Sequence, residues 1–248
     1  MAVQEDTMKR QTALSFVAVM GLLGLSPAAR PIAAQDKQAP TIKVPDAGVP
    51  QIGSIEGTFV RAAYNNEGYV ILGYKAANAS VGEEWLMLDT GMTVRDKTPT
   101  YKLKRDALSL STPDGGTVPL PSIEEYRKAD LRALQNRSRT MRDSINYFPP
   151  SASRPCRIGF FSNTESGAMA WDQVELDNNR ACLGELYFKI PGGIKYGQHF
   201  LNVKFQDSVI RVPFRILTKD EEKTLNKHYK SIRQQVKDAF APPKKGGL

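Results

Sequence analysis

Only two histidines, His199 and His228, occur in the 248 residues, and that scarcity bounds acid–base and zinc chemistry at the outset. His199 shares strand parity with Leu201, Val203 and Phe205 and is expected at the edge of a buried face, while His228 falls on the last helix beside Tyr229. Neither belongs to an HxxH or HExxH spacing, and a zinc site would need partners this pattern does not offer. No GxSxG elbow marks a serine nucleophile. The pairs Gly115-Gly116 and Gly192-Gly193 join strands instead of opening a helix onto a phosphate. Carboxylate chemistry is what remains: two acids at a separation set by the fold can cleave a glycosidic bond, and Asp89, Glu175 and Asp177 are the first to inspect. In WDQVELDNNR, residues Asp172, Glu175, Asp177, Asn178 and Asn179 concentrate oxygen atoms that calcium accepts, without the spacing or central glycine of an EF-hand; a capped, solvated loop is the other reading. No catalytic residue, cofactor or metal ligand is assigned.

Binding chemistry has three candidates. Phe59, Tyr64, Tyr69, Tyr74 and Trp85 fall on strands, where they either pack into a core or, if exposed, form a platform for sugars or bases. Arg127, Lys128, Arg132, Arg137, Arg139 and Arg142 occupy a helical stretch and could grip phosphate or carboxylate, but Glu124, Glu125, Asp130 and Asp143 interleave with them as on a solvated face. Near the C-terminus Leu225, Tyr229, Ile232, Val236 and Phe240 form a narrow apolar stripe, to be covered by the chain's own body or by a partner.

The elements that must position these residues read mainly as strands. Residues 58–64 and 69–78 form a hairpin about the turn 65–68, and a third strand runs from Glu84 through Asp89 towards Val94. Short strands at 100–103 and 107–111, the turn 113–116 and a strand at 118–120 follow. Ser122 and Glu125 make a capping box that opens a helix over about 122–145, with Ile123, Tyr126, Leu131, Leu134, Met141 and Ile145 at helical spacing. Strands resume at 157–161 and 169–176. Residues 183–217 alternate so cleanly that they read as a three-strand antiparallel meander with turns at 191–193 and 206–208. A second capping box at Thr218 and Glu221 opens a helix over about 218–240, ahead of a loose basic tail.

Lys9-Arg10, the apolar run 13–25 and the small residues around Ala28 and Ala34 follow the order of a secretory signal peptide over residues 1–34, with a retained anchor as the alternative. Residues 35–53, with Pro40, Pro45 and Pro50, read as a linker. Removing residues 1–34 takes away Lys9, Arg10 and Arg30 against Glu5 and Asp6, so the net charge falls by one from +8, and the chain stays basic without a dense basic run. Cys156 and Cys182 are an even pair, expected to close as a disulfide outside the cytoplasm.

The strand-rich body, the phrase Leu108-Ser109-Leu110-Ser111-Thr112-Pro113-Asp114-Gly115 and the ending Pro213-Phe214-Arg215-Ile216-Leu217 resemble exported bacterial proteins with immunoglobulin-like sandwiches, over about residues 54–217. The resemblance implies extracytoplasmic binding or assembly roles and transfers no catalytic motif. The expected fold is therefore mainly β: an immunoglobulin-like antiparallel β-sandwich with an inserted helix at 122–145 and a C-terminal amphipathic helix. The expected function is non-catalytic, in the periplasm, at the cell surface or secreted: binding a protein or an envelope component, or serving as an accessory subunit of an envelope assembly. A carbohydrate-binding module or carboxylate-dependent glycan enzyme is the alternative. Nucleic acid is not an expected partner, and a membrane is one only if the N-terminal segment is retained.

Overall fold

The computed structural model describes residues 52–161 and 169–239, apart from the side chains of 52, 54–56 and 232–239. The leader or anchor at 1–34, nearly all of the linker, Phe240 and the basic tail lie outside the described residues. The chain is mainly β, with sheets packed in a sandwich-like arrangement. Antiparallel strands β1 (Ile52–Gly57), β2 (Val60–Tyr64), β3 (Gly68–Gly73) and β4 (Trp85–Val94) are followed in the same sheet by β10 (Arg180–Lys189) and β8 (Arg154–Arg157). A second sheet has the order β12 (Val209–Ile216), β11 (Gly197–Lys204), β6 (Leu108–Ser111), β7 (Thr117–Pro119), and β5 (Tyr101–Lys104) pairs with β9 (Gln173–Leu176) alone. β1 begins two residues inside the stretch read as linker.

Alternation explains how the sheets stack. Val70, Leu72, Leu86, Leu88 and Leu186 share one face of the large sheet and join one core with Leu201, Val203, Ile210, Val212 and Phe214 of the small one. Successive side chains in a strand point to opposite faces. The outer face of the large sheet therefore carries Ala62, Ile71, Gly73, Asp89, Gly91, Leu183, Glu185 and Tyr187.

Four sequence readings are corrected. First, residues 183–217 are not a meander: β10 pairs with β4 and β8, whereas β11 pairs with β12 and β6. The chain crosses between sheets at Gly192 and Gly193, both at positive φ, and a Cβ on Gly193 would lie 2.7 Å from the Gly82 carbonyl oxygen. Alternation identifies a half-buried strand but not its neighbour. Second, the strand read over 69–78 stops at Gly73, and Lys75–Asn78 form a helical turn, α1, in which Ala76 and Ala77 are buried and Asn78 Oδ1 accepts the Leu217 N–H at 2.6 Å.

Third, the inserted helix is two helices. Ser122 and Glu125 form the expected capping box at the start of α2 (Ile123–Lys128), but Ala129 is extended (ψ 139°) and Asp130 turns its carboxylate onto the N–H and guanidinium of Arg132, which opens α3 (Arg132–Thr140). After Met141 the chain has no regular secondary structure to Pro149. Ile145 and Phe148 instead lay this strap over the large sheet, where Gly73 and Gly91 make room: a Cβ at those glycines would come within 2.9 Å of Ile145 Cγ2 and 2.7 Å of Phe148 Cζ. Arg105 ties the rest of the segment down by donating to the carbonyls of Pro121 and Phe160.

Fourth, residues 158–161, expected as a strand from 157, have no regular structure; the strand there lies earlier, as β8 (Arg154–Arg157), and runs parallel to β10 with Cys156 opposite Cys182. The disulfide between them is formed. The last helix, α4 (Lys219–Ala239), starts at its expected box, with the Thr218 N–H donating to Glu221 Oε2 at 2.9 Å. No helix among the described residues is long and apolar enough to cross a membrane.

Replacing both cysteines by alanine is expected to lower unfolding stability by about 3 to 4 kcal/mol, the loop-closure value for a bridge of this span. Urea denaturation of the two proteins checks this, and coincident curves would contradict it.

Candidate functional site

The register of β4 and β10 sets Glu185 directly opposite Asp89 on the outer face of the large sheet. Two like charges facing each other across a ladder repel, so something must compensate them. That group is Arg142 of the strap: one guanidinium nitrogen, Nη2, lies 2.9 Å from Asp89 Oδ1 and also pairs with Glu185 Oε1. Tyr187, two residues along the same face, donates its hydroxyl to the other Glu185 oxygen at 2.7 Å. Asp143 pairs with Lys75 of α1 at 3.5 Å.

These groups floor and wall a cavity of about 740 Å³ between the sheet and the inserted segment. Its polar lining includes Gln135, Ser138, Arg139, Asn146 and Arg157; its apolar lining includes Ile145, Phe161 and Leu183. Tyr126 of α2, Phe161 and Tyr187 close one end as a mutually packed trio, with ring centroids 4.7 to 5.3 Å apart. Gln135 Nε2 donates to the Tyr126 hydroxyl at 3.3 Å.

Asp89 is 7% exposed. Burial pushes its carboxyl up to about 6 from the ordinary 3.8; Arg142 pulls it down and Glu185 adds to the rise. Burial also pushes the Tyr187 hydroxyl up, with Glu185 reinforcing it. For Arg142, burial disfavours the charge, but Asp89 and Glu185 outweigh it and hold the guanidinium above its usual value.

Of the three acids singled out in the sequence, only Asp89 is in the cavity. Glu175 pairs with Arg180 at 3.3 Å, and Asp177 caps the β9–β10 turn by accepting the Asn179 N–H at 3.0 Å. Those two acids are spent on the loop itself, and no cluster of three or more metal-type ligands occurs among the described residues. His228 is exposed. His199 is not at the edge but fully buried: Nδ1 sits 3.1 Å from the Gly197 carbonyl oxygen, the ring stacks on Phe214, and burial lowers its pKa.

The aromatic platform does not form. Phe59 and Tyr74 are core residues, Tyr64 and Tyr69 stack on each other, and Trp85 is half-buried. The basic residues of the helical stretch meet acids from outside it as well as within: Arg137 pairs with Glu83, ahead of β4, at 2.7 Å and Arg142 with Asp89 and Glu185, while Arg132 pairs with Asp130 at 3.0 Å. Leu225 and Tyr229 of the α4 stripe are half-buried, and Tyr229 lies near enough to Tyr74 to add to the rise in that hydroxyl's pKa, which burial dominates. The side chains of Ile232 and Val236 lie outside the described residues, as does Phe240.

Glu185 and Tyr187 do not stand out in the sequence, and Arg142 is read there only as one of the basic residues of a helical stretch that could grip phosphate or carboxylate. Glu185 and Tyr187 alternate with Leu186 and Phe188 as ordinary outward residues would, and only the register with β4 brings them to Asp89. No family model, curated protein or solved structure matches the chain.

Because the folded-state pKa of Asp89 is raised, the native protein holds this proton more tightly than the unfolded chain does. The contribution is therefore favourable at low pH and is lost as pH rises from about 4 through about 6, by up to about 3 kcal/mol. In denaturant titrations, the stability of wild type relative to Asp89→Asn is expected to fall by that order between pH 4 and pH 7.5. Parallel pH profiles for the two proteins would contradict the burial of a strained carboxylate.

Proposed function

We propose that this chain is a non-catalytic extracytoplasmic binding protein on an immunoglobulin-like sandwich, and that the cavity under the strap receives its ligand, a small envelope component or a segment of one. The observation that carries the reading is the cavity itself. At about 740 Å³ it falls within the size range of ligand sites, and its Asp89–Arg142–Glu185 floor is held in place by β4, β10 and the strap. A mixed lining of carboxylates, arginines, amides and apolar side chains suits a ligand rich in hydrogen-bonding groups. The leader-like residues 1–34 and the Cys156–Cys182 disulfide support an oxidising compartment.

A glycan-cleaving reading draws on one observation: a carboxylate pair of which one member titrates near 6, as a general acid would. Arg142 weighs against it, since its guanidinium sits on both carboxylates where a glycosidic oxygen would have to enter.

Thermal-shift titration of the purified protein with peptidoglycan fragments and envelope oligosaccharides is expected to give stabilisation by at least one of them, without any cleavage product. Leu183→Trp, which fills the cavity mouth from a 39% exposed position, should abolish that stabilisation while keeping the melting temperature. Stabilisation that survives Leu183→Trp would remove the cavity from the account, and product release lost in Asp89→Asn would establish the enzyme instead. Intact-mass measurement of the exported chain should show loss of residues 1–28 or 1–34; a full-length mass would favour the anchor.

A further inference from the structure

α4 leaves the sandwich from a fixed root. Asn78 Oδ1 accepts the Leu217 N–H at 2.6 Å, the box of Thr218 and Glu221 caps the first turn, and Arg215 pairs with Glu221 at 2.7 Å. From there the helix runs for 21 residues, about 30 Å in length, and no other described element packs along it. Leu225 and Tyr229 are half-buried near the root, and Ile232 and Val236 continue their stripe at helical spacing. An amphipathic helix takes most of its stability from whatever covers its apolar face. Beyond Tyr229 no described element of the chain provides that cover.

Charge identifies the kind of surface that fits. Residues 223–248 hold seven Lys and Arg against the single acid Asp238, so six of the chain's net +8 are gathered there. The other acids of the helix, Asp220, Glu221 and Glu222, stand in its first turn, at the body. Lys223, Lys227 and Lys230 are exposed. Complementarity to the helix dipole explains basic residues in the last turn only, and these three stand in earlier turns.

We propose that α4 is a peripheral membrane-binding helix, which lays its apolar stripe into an anionic lipid surface while the Lys and Arg of its polar side meet the headgroups. The combination of stripe and basic face selects lipid over two other occupants. A soluble polyanion would neutralise the charge but offer the stripe nothing apolar. A second α4 laid along the first would bring two basic faces together, and the acids that could offset them are mostly in the first turn, where Glu221 is already held by Arg215 and Thr218. No helix among the described residues is long and apolar enough to cross a membrane, so α4 lies in the plane of the interface. The contact requires nothing from residues 1–34 and is independent of the cavity.

Co-sedimentation of the exported chain with large unilamellar vesicles tests this. Binding is expected to vesicles of equal phosphatidylglycerol and phosphatidylcholine, to be lost on phosphatidylcholine alone, and to fall steeply between low salt and about 0.5 M NaCl. Lys227→Gln, Lys230→Gln and Arg233→Gln together should weaken it on the order of 100-fold, since each cation near such a surface contributes about fivefold. Ile232→Ser with Val236→Ser should weaken vesicle binding by a similar order, about 100-fold, and leave retention on heparin unchanged. Equal binding to the two vesicle types, or binding that both variants retain, would overturn the membrane helix. So would a serine pair that binds vesicles as wild type does while the glutamine set fails, the mark of a site for soluble polyanions. A concentration-dependent dimer in sedimentation that the serine pair dissolves would equally overturn it, by giving the stripe to a second copy.

Discussion

Two carboxylates forced to face each other across one antiparallel ladder are the constraint around which the outer face of this protein is built. β4 and β10 are adjacent interior strands of the large sheet, so their register cannot slip by a residue without turning Leu88 and Leu186 out of the core and Asp89 and Glu185 into it. The core thus fixes the acids in place, and the chain must then supply a cation from outside the sheet. Arg142 can do so only if the inserted segment leaves its helix and runs flat along the outer face. The break at Asp130, the end of α3 at Thr140, and the two glycines that admit Ile145 and Phe148 all serve that single placement.

This arrangement also explains why the cavity exists. A helix continued over 122–145 would stand on its apolar stripe and pack down on the sheet with few voids. The chain instead covers the face at two ends, with the Tyr126, Phe161 and Tyr187 rings at one and Ile145 with Phe148 at the other, and leaves polar space between them. Buried polar groups are tolerated there because each has a partner: Asp89 and Glu185 share Arg142, and Glu185 also accepts from Tyr187. One weakness is left. Arg142 does not compensate fully for the lost hydration of Asp89, and burial pushes that carboxyl up to about 6.

Much of the scaffold was legible in the sequence because it depends on local pattern. Period-two alternation located β2, β4, β10, β11 and β12, the two capping boxes located the starts of α2 and α4, and an isolated pair of cysteines identified the bridge. What depends on long-range pairing was not legible. The stretch 183–217 alternates identically whether its strands are neighbours or lie in different sheets, and Gly192-Gly193 reads as a turn in either case; that both take positive φ where the chain crosses to the other sheet is visible only in the fold. The helix read to residue 145 failed because Ile145 keeps helical spacing while serving the sheet. The site suffered most: Asp89 stood out as an acid in an apolar strand, but Glu185 and Arg142, distant in sequence, acquire meaning only through register and through the strap.

The central claim is that Asp89 is a carboxylate held out of water beside Glu185 by the strap. Its direct measurement is the titration of the Asp89 side-chain carboxyl by carbon NMR, in wild type and in Gly91→Val, where the added side chain displaces Phe148 from its seat. The account predicts a wild-type midpoint near 6 that falls towards the ordinary 3.8 in Gly91→Val. A wild-type midpoint already at that ordinary value, unchanged by Gly91→Val, would contradict it.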